Sequence, residues 1–110
     1  MKNEYTINYW QEKTKIRLFE TKYSSNNTLA IVALDEYGEE FCKLSVNLNS
    51  PMQGDNLAFV DTNNLPWVEQ FLQENDIAYP MFYSECSGWC NYPLYGFNKN
   101  KMEVFDETNW

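Results

Sequence analysis

The sequence predicts an α+β domain, an antiparallel sheet of about five to seven strands with one main α-helix packed on one face. Three observations predict it. Short runs of β-branched, aromatic and other apolar residues recur along the chain, with Asn, Ser, Gly and Pro between them. A single stretch, residues 65–72, spaces apolar residues three and four apart. Finally, 110 residues of which 44% are hydrophobic and 17% aromatic suffice for one core and are too few for two, so residues 1–110 are read as a single domain.

Residues 16–22 form the first run rich in β-formers. Residues 28–35 are almost continuously apolar through Leu29, Ala30, Ile31, Val32, Ala33 and Leu34, the pattern of a strand buried on both faces. Tyr23-Ser24-Ser25-Asn26-Asn27 between them has turn composition, because Asn and Ser bond locally to the backbone, so the pair reads as a hairpin. Glu36-Tyr37-Gly38-Glu39 turns the chain again, Gly38 supplying a positive φ at little cost. Residues 41–48 then alternate, with Cys42, Leu44, Val46 and Leu48 on one face and Lys43, Ser45 and Asn47 on the other, as a half-buried strand does. Asn49-Ser50-Pro51 ends it, Gln53-Gly54-Asp55-Asn56 is a loop, and residues 57–60 are a short apolar strand. The helix follows: Asn63 or Asn64 caps it, Pro66 sits in its first turn, Leu65, Val68, Phe71 and Leu72 face the core, and Asn75-Asp76 ends it. Three strands at about 79–85, 92–97 and 101–105 complete the pattern, separated by Cys86-Ser87-Gly88-Trp89-Cys90 and Asn98-Lys99-Asn100.

Composition removes whole classes of chemistry. There is no histidine, hence no Ser-His or Cys-His nucleophile pair and no imidazole metal ligand. Three cysteines are an odd number and cannot complete a four-thiolate zinc site, so neither a disulfide scaffold nor a structural metal is expected, and no cofactor is. The spacing Cys86-x-x-x-Cys90 lacks the helix-start context of a redox pair. No run approaches the ~20 apolar residues of a membrane span, and the first residues lack an apolar signal core. A cytoplasmic protein with no membrane partner is expected.

The charge is unevenly placed. Net charge is -8 for the chain, yet residues 1–22 carry +2 and residues 23–98 carry -9, with Lys43 their only cation. Phosphate binding needs a basic stripe, so direct nucleic-acid binding is disfavoured, and a protein partner with a basic surface fits better. The competing reading is that acidity serves solubility. Asp35, Glu36, Glu39 and Glu40 cluster at one hairpin tip, where water solvates them and no general acid is assembled. Seven aromatic residues lie between Tyr79 and Phe97 with no cation among them, which excludes a stacking platform for single-stranded nucleic acid. Some must be core, but they exceed what one sheet face buries, and exposed Tyr and Trp anchor protein contacts. The candidate partner-binding residues are therefore Asp35, Glu36, Glu39, Glu40, Trp89, Tyr92 and Tyr95. The alternative is an enzyme or small-ligand protein working through carboxylates and Tyr, for which no site is assembled.

Two motifs carry a resemblance: Asp61-Thr62-Asn63-Asn64-Leu65-Pro66-Trp67-Val68-Glu69-Gln70-Phe71-Leu72-Gln73-Glu74-Asn75, and Ser87-Gly88-Trp89-Cys90-Asn91-Tyr92-Pro93-Leu94-Tyr95-Gly96-Phe97. Together they make the chain resemble an uncharacterised family of short bacterial proteins catalogued as domain of unknown function 4313. The resemblance is close over the C-terminal half and extends to the N-terminal strands by pattern. It implies no catalytic residue. It implies a context, since similar proteins travel on plasmids, phages and conjugative elements, where small accessory proteins assist transfer or defeat host defences such as restriction or CRISPR.

Overall fold

The computed structural model describes residues 4–9 and 12–105. Among them the chain forms strands β1 (Glu4–Tyr9), β2 (Glu12–Lys22), β3 (Leu29–Leu34), β4 (Glu40–Lys43), β5 (Ser45–Val46) and β6 (Leu57–Val60), helix α1 (Val68–Glu74), then β7 (Ala78–Ser87), β8 (Cys90–Phe97) and β9 (Glu103–Val104). The α+β class stands. The strands number nine rather than five to seven, and they build two sheets where one was expected.

The first sheet has the order β1-β2-β3-β4, antiparallel throughout, with β9 added parallel to β2. Arg17 of β2 lies opposite both Glu4 of β1 and Leu34 of β3, so β1 and β3 flank opposite edges of β2, and β9 continues the β1 edge at Phe19 and Glu20. Every residue of β3 is buried, as its unbroken apolar run requires. Leu29, Ile31 and Ala33 enter the main core, while Val32 and Leu34 join Phe19 in a second cluster that Phe105 covers. The expected strand over 101–105 shrinks to two residues, because a 3-10 turn occupies Lys99–Lys101.

The second sheet, β5-β6-β8-β7, is antiparallel and grows from the same strand path as the first. The alternating run at 41–48 is not one strand. Leu44 is a corner: its N–H donates to the Ile31 carbonyl in the first sheet, and its carbonyl accepts from Asp61 N–H in the second, both at 2.8–2.9 Å. Ser45, expected to face water, is buried instead, because its hydroxyl takes the Ile31 N–H (2.9 Å) that the departing strand leaves without a partner and also bonds Tyr23 Oη (2.8 Å).

The core lies between the sheets, with Ile16, Leu18 and Ile31 from one side, Val60, Tyr95 and Phe97 from the other, and Val68, Phe71 and Leu72 of α1 against both. Helix α1 is shorter than expected. Neither Asn63 nor Asn64 caps it; Trp67 holds the N-cap position without a side-chain bond, and the turn before it is closed by Asp61, whose carboxylate accepts from Asn64 N–H (3.2 Å). Its C-terminus ends where the sequence indicated. Asp76 takes a left-handed φ of 55°, and Ile77 N–H and Asp76 N–H return to the carbonyls of Leu72 and Gln73, satisfying acceptors the helix leaves open.

The loop between β5 and β6 is organised by one buried side chain. Gln53 accepts from Leu48 and Ser50 N–H and donates to Thr28 Oγ1 and Asn47 Oδ1, so a turn of polar residues closes over the sheet with its backbone satisfied.

Candidate functional site

The longest hairpin, β7–β8, carries most of the large apolar side chains that the fold leaves in water. Its tip is tighter than the five-residue loop read from sequence: Ser87 pairs with Cys90, leaving a two-residue turn in which Gly88 takes φ +61° and Trp89 projects fully into solvent, 105% exposed. Neither cysteine is bridged. Cys86 lies opposite Asn91 rather than Cys90, and Cys42, Cys86 and Cys90 are all free thiols.

Nearer its start, β7 leaves the ladder. Pro80 pairs with Tyr95 and Ser84 with Pro93, so Met81, Phe82 and Tyr83 together oppose the single residue Leu94. This large bulge sits on the outermost strand of its sheet, where Pro80 lacks the N–H a ladder uses, and it makes the free edge a poor template for another strand. Its flanking members stay exposed but rest partly on the sheet. Met81 lies over Gly96, where an added Cβ would come within 3.3 Å of its Cε, and the Tyr83 ring packs against buried Phe59 at 6.4 Å while its hydroxyl donates to Glu85 (2.7 Å). Phe82 is turned outward, at φ 59° and 94% exposed. A bulky residue in the left-handed region costs about 1–2 kcal/mol, and here nothing is gained from burial in return.

Between the bulge and helix α1 runs a groove of about 390 Å³, lined by Glu69 and Thr62 on one side and Pro80, Phe82, Tyr83 and Asn91 on the other. Glu69 is positioned from within. The hydroxyl of Tyr95, whose ring is fully buried, donates to its Oε1 at 2.9 Å and accepts from Gln73 Nε2 at 2.9 Å.

The residues singled out by sequence separate accordingly. Trp89 is displayed and Tyr92 is half-buried, but Tyr95 is withdrawn: on β8 it faces inward opposite Ala58 and Pro80, so its ring contacts the core and no partner. Glu36, Glu39 and Glu40 are exposed at the β3–β4 turn, whereas Asp35 is part of its construction, its Oδ1 accepting from Tyr37 N–H (2.9 Å) and Glu39 N–H (3.0 Å). That turn belongs to the first sheet and the aromatic hairpin to the second, so no single element joins the two groups. Sequence reasoning missed Phe82 and Met81 as surface residues. Their signal is weak, because the departure of β7 from its ladder is announced by Pro80 alone.

The titratable groups fixed by this framework are held away from neutrality. Burial, and then the bond to Glu69, push Tyr95 up to about 12, and burial with Glu40 and Asp61 nearby pushes the Cys42 thiol up to about 12. Glu85 moves the other way, below the ordinary carboxylate value, because Ser50 Oγ (2.6 Å) and Tyr83 Oη both donate to it. At neutral pH the phenol and thiol are protonated and the carboxylate is a weak base, so the Ser50–Glu85 contact orders a loop rather than activating a nucleophile. Among the described residues no three His, Cys, Asp or Glu side chains converge on a metal position, and no helix is long and apolar enough to cross a membrane.

A family model described as a domain of unknown function (4313) matches residues 17–110, which includes all of β3 to β9 and most of β2. No curated protein and no solved structure matches the chain.

Proposed function

Because the chain belongs to the family of domain of unknown function 4313, which brings no activity with it, we propose from geometry that this is a non-enzymatic binding protein whose β7–β8 hairpin docks onto a partner protein with a basic surface. One observation carries the reading: Phe82 and Trp89, both left in water, belong to a segment of the chain that contributes carboxylates and no cations. Residues 44–98, comprising the second sheet and the helix, contain Asp55, Asp61, Glu69, Glu74, Asp76 and Glu85 and no Lys or Arg. Phe82 and Trp89 project from this region, and large aromatics ringed by groups that exclude water are the residues that dominate protein interfaces. The cations come from other segments and are partly occupied, Arg17 beside Glu103, Lys99 beside Glu20, and Lys22 beside Asp55, where it offsets one of the six carboxylates. Glu36, Glu39 and Glu40 add negative charge at the β3–β4 turn, where Glu36 lies near Lys15 and Arg17 of β2, and Glu39 and Glu40 would speed encounter with a cationic partner.

In its narrower form, the partner is a nucleic-acid-binding defence protein whose basic cleft the acidic surface occupies. The resemblance to proteins of mobile elements supports that form, and it predicts that DNA and this protein compete for the partner.

Affinity capture from the native host, with mass spectrometry of what is retained, identifies the partner. Measured on that partner, association should weaken steeply between low salt and physiological salt. Reversing the charges of Glu36, Glu39 and Glu40, with Asp35 kept because it builds the turn, should slow association, and truncating Trp89 or Tyr92 should speed dissociation. A partner that is acidic, or whose binding ignores both salt and charge reversal, overturns the proposal and leaves the acidity to solubility.

A further inference from the structure

The geometry points to a receptor for a single arginine side chain: we propose that the groove between the β7 bulge and helix α1 takes one guanidinium of the basic partner, paired with Glu69 and flanked by Phe82 and Tyr83. This inference rests on the basic-partner reading and adds where and how one cation is held.

Three features of the groove fit that occupant. Glu69 presents a carboxylate whose Oε1 is fixed by a fully buried phenol, while among the described residues its Oε2 has no hydrogen-bond partner and no cation of residues 44–98 competes for it. A carboxylate so held gives up little freedom on binding, and a guanidinium is the cation that meets it in a plane and through paired donors. The opposite wall is aromatic and braced. Tyr83 is held by a tilted ring contact with buried Phe59 and by Glu85 at its hydroxyl, and rings in fixed positions attract a cation over their faces. The left-handed backbone at Phe82 is the third feature. Strain of this kind persists where the surroundings over-determine it, and here it goes with a ring that lines the groove while remaining in water.

The charge alone would attract cations anywhere on the surface, so the experiment must separate this groove from the general field. A tetra-arginine peptide is titrated into the isotope-labelled full chain, with backbone amide shifts followed by NMR at physiological salt. Saturable shifts should concentrate at residues 62, 69, 82–84 and 91. Glu69→Gln keeps an acceptor for Tyr95 and should weaken the peptide about tenfold or more, the size of a lost charge-assisted hydrogen bond. Glu36→Gln removes the same charge from the β3–β4 turn and should change affinity about twofold or less. A tetra-lysine peptide should bind several-fold more weakly.

Equal effects of Glu36→Gln and Glu69→Gln, with shifts spread over all acidic residues, overturn the groove while leaving the basic-partner reading to its own capture experiment. Equal affinity for the lysine peptide overturns the choice of guanidinium. Absence of saturable shifts overturns the receptor altogether.

Discussion

Replacing an exposed phenylalanine by glycine in a strand ordinarily destabilises a protein, and at position 82 the structure leads to the opposite expectation. The left-handed φ of 59° costs a side-chain-bearing residue about 1–2 kcal/mol, and glycine is free of that cost. Against this, glycine's greater freedom in the unfolded chain costs about 0.5–1 kcal/mol. Because the ring is 94% exposed, its removal gives up almost no burial. Phe82→Gly should therefore leave stability unchanged or raise it by up to about 1.5 kcal/mol, a rise in Tm of several degrees at the upper end. Phe82→Ala, which keeps the strain, should lie within about 0.5 kcal/mol of the parent. Urea unfolding followed by tryptophan fluorescence and a thermal melt by circular dichroism both read this directly. The same glycine variant should bind the captured partner more weakly, so stability and binding move in opposite directions. A loss of more than about 1 kcal/mol on Phe82→Gly would show that the ring packs against the fold and that the strain argument fails.

Phe71 is 6% exposed and meets Tyr5 and Trp67 edge-on at 5.6 and 5.5 Å, so Phe71→Ala should cost about 3–5 kcal/mol; an unchanged urea midpoint would mean that the helix packs by another face. Tyr95 keeps its proton to about pH 12 when folded, against an ordinary value of 10.0, so its contribution is complete below pH 10 and is lost as pH rises towards 12. The urea midpoint should fall over that range, and Tyr95→Phe should shrink the fall without abolishing it, since burial raises Tyr5 and Tyr23 in the same direction. Alkylation followed by mass measurement should count three thiols: Cys86 labels quickly because it is exposed, and Cys42 slowly, because it is partly buried and its thiol is held protonated. A reductant-dependent mass change from a Cys86–Cys90 bridge would contradict the register of the hairpin.

Legibility in the sequence followed the length over which a physical pattern persists. The unbroken apolar run of β3 could be nothing but doubly buried, and both the apolar spacing and the stop of α1 were visible, because Asp76 tolerates the left-handed turn that ends it. Strand β1 does not stand out in the sequence although Tyr5, Ile7 and Tyr9 alternate with polar residues, since only one of the three is aliphatic. The division into two sheets was invisible for a stronger reason. It depends on where the two hydrogen-bonding groups of Leu44 find partners, and an alternating run looks the same whether it stays in one sheet or leaves it. Composition also overstated the helix start, where Asn63 and Asn64 have the chemistry of caps but no side chain caps α1 and Asp61 closes the turn before it. Among the site residues, Trp89 next to Gly88 could be read as a hairpin tip. The inward face of Tyr95 could not be read, because tyrosine serves equally well on either side of a strand.

The corner at Leu44 bears on how the molecule comes apart. A peptide unit whose N–H closes one sheet and whose carbonyl closes the other cannot be released by local fraying of either, since opening one side withdraws the geometry the other needs. The amides of Leu44 and Asp61, with Ile31 held by the Ser45 hydroxyl, should exchange with solvent deuterium only through global unfolding, at rates that track total stability. The β7 bulge lies at the far edge of the second sheet, three strands from this seam. The displayed aromatic residues and these seam hydrogen bonds thus stand at opposite ends of the second sheet, and substitutions at Phe82 or Trp89 should leave the exchange of the Leu44 and Asp61 amides unchanged.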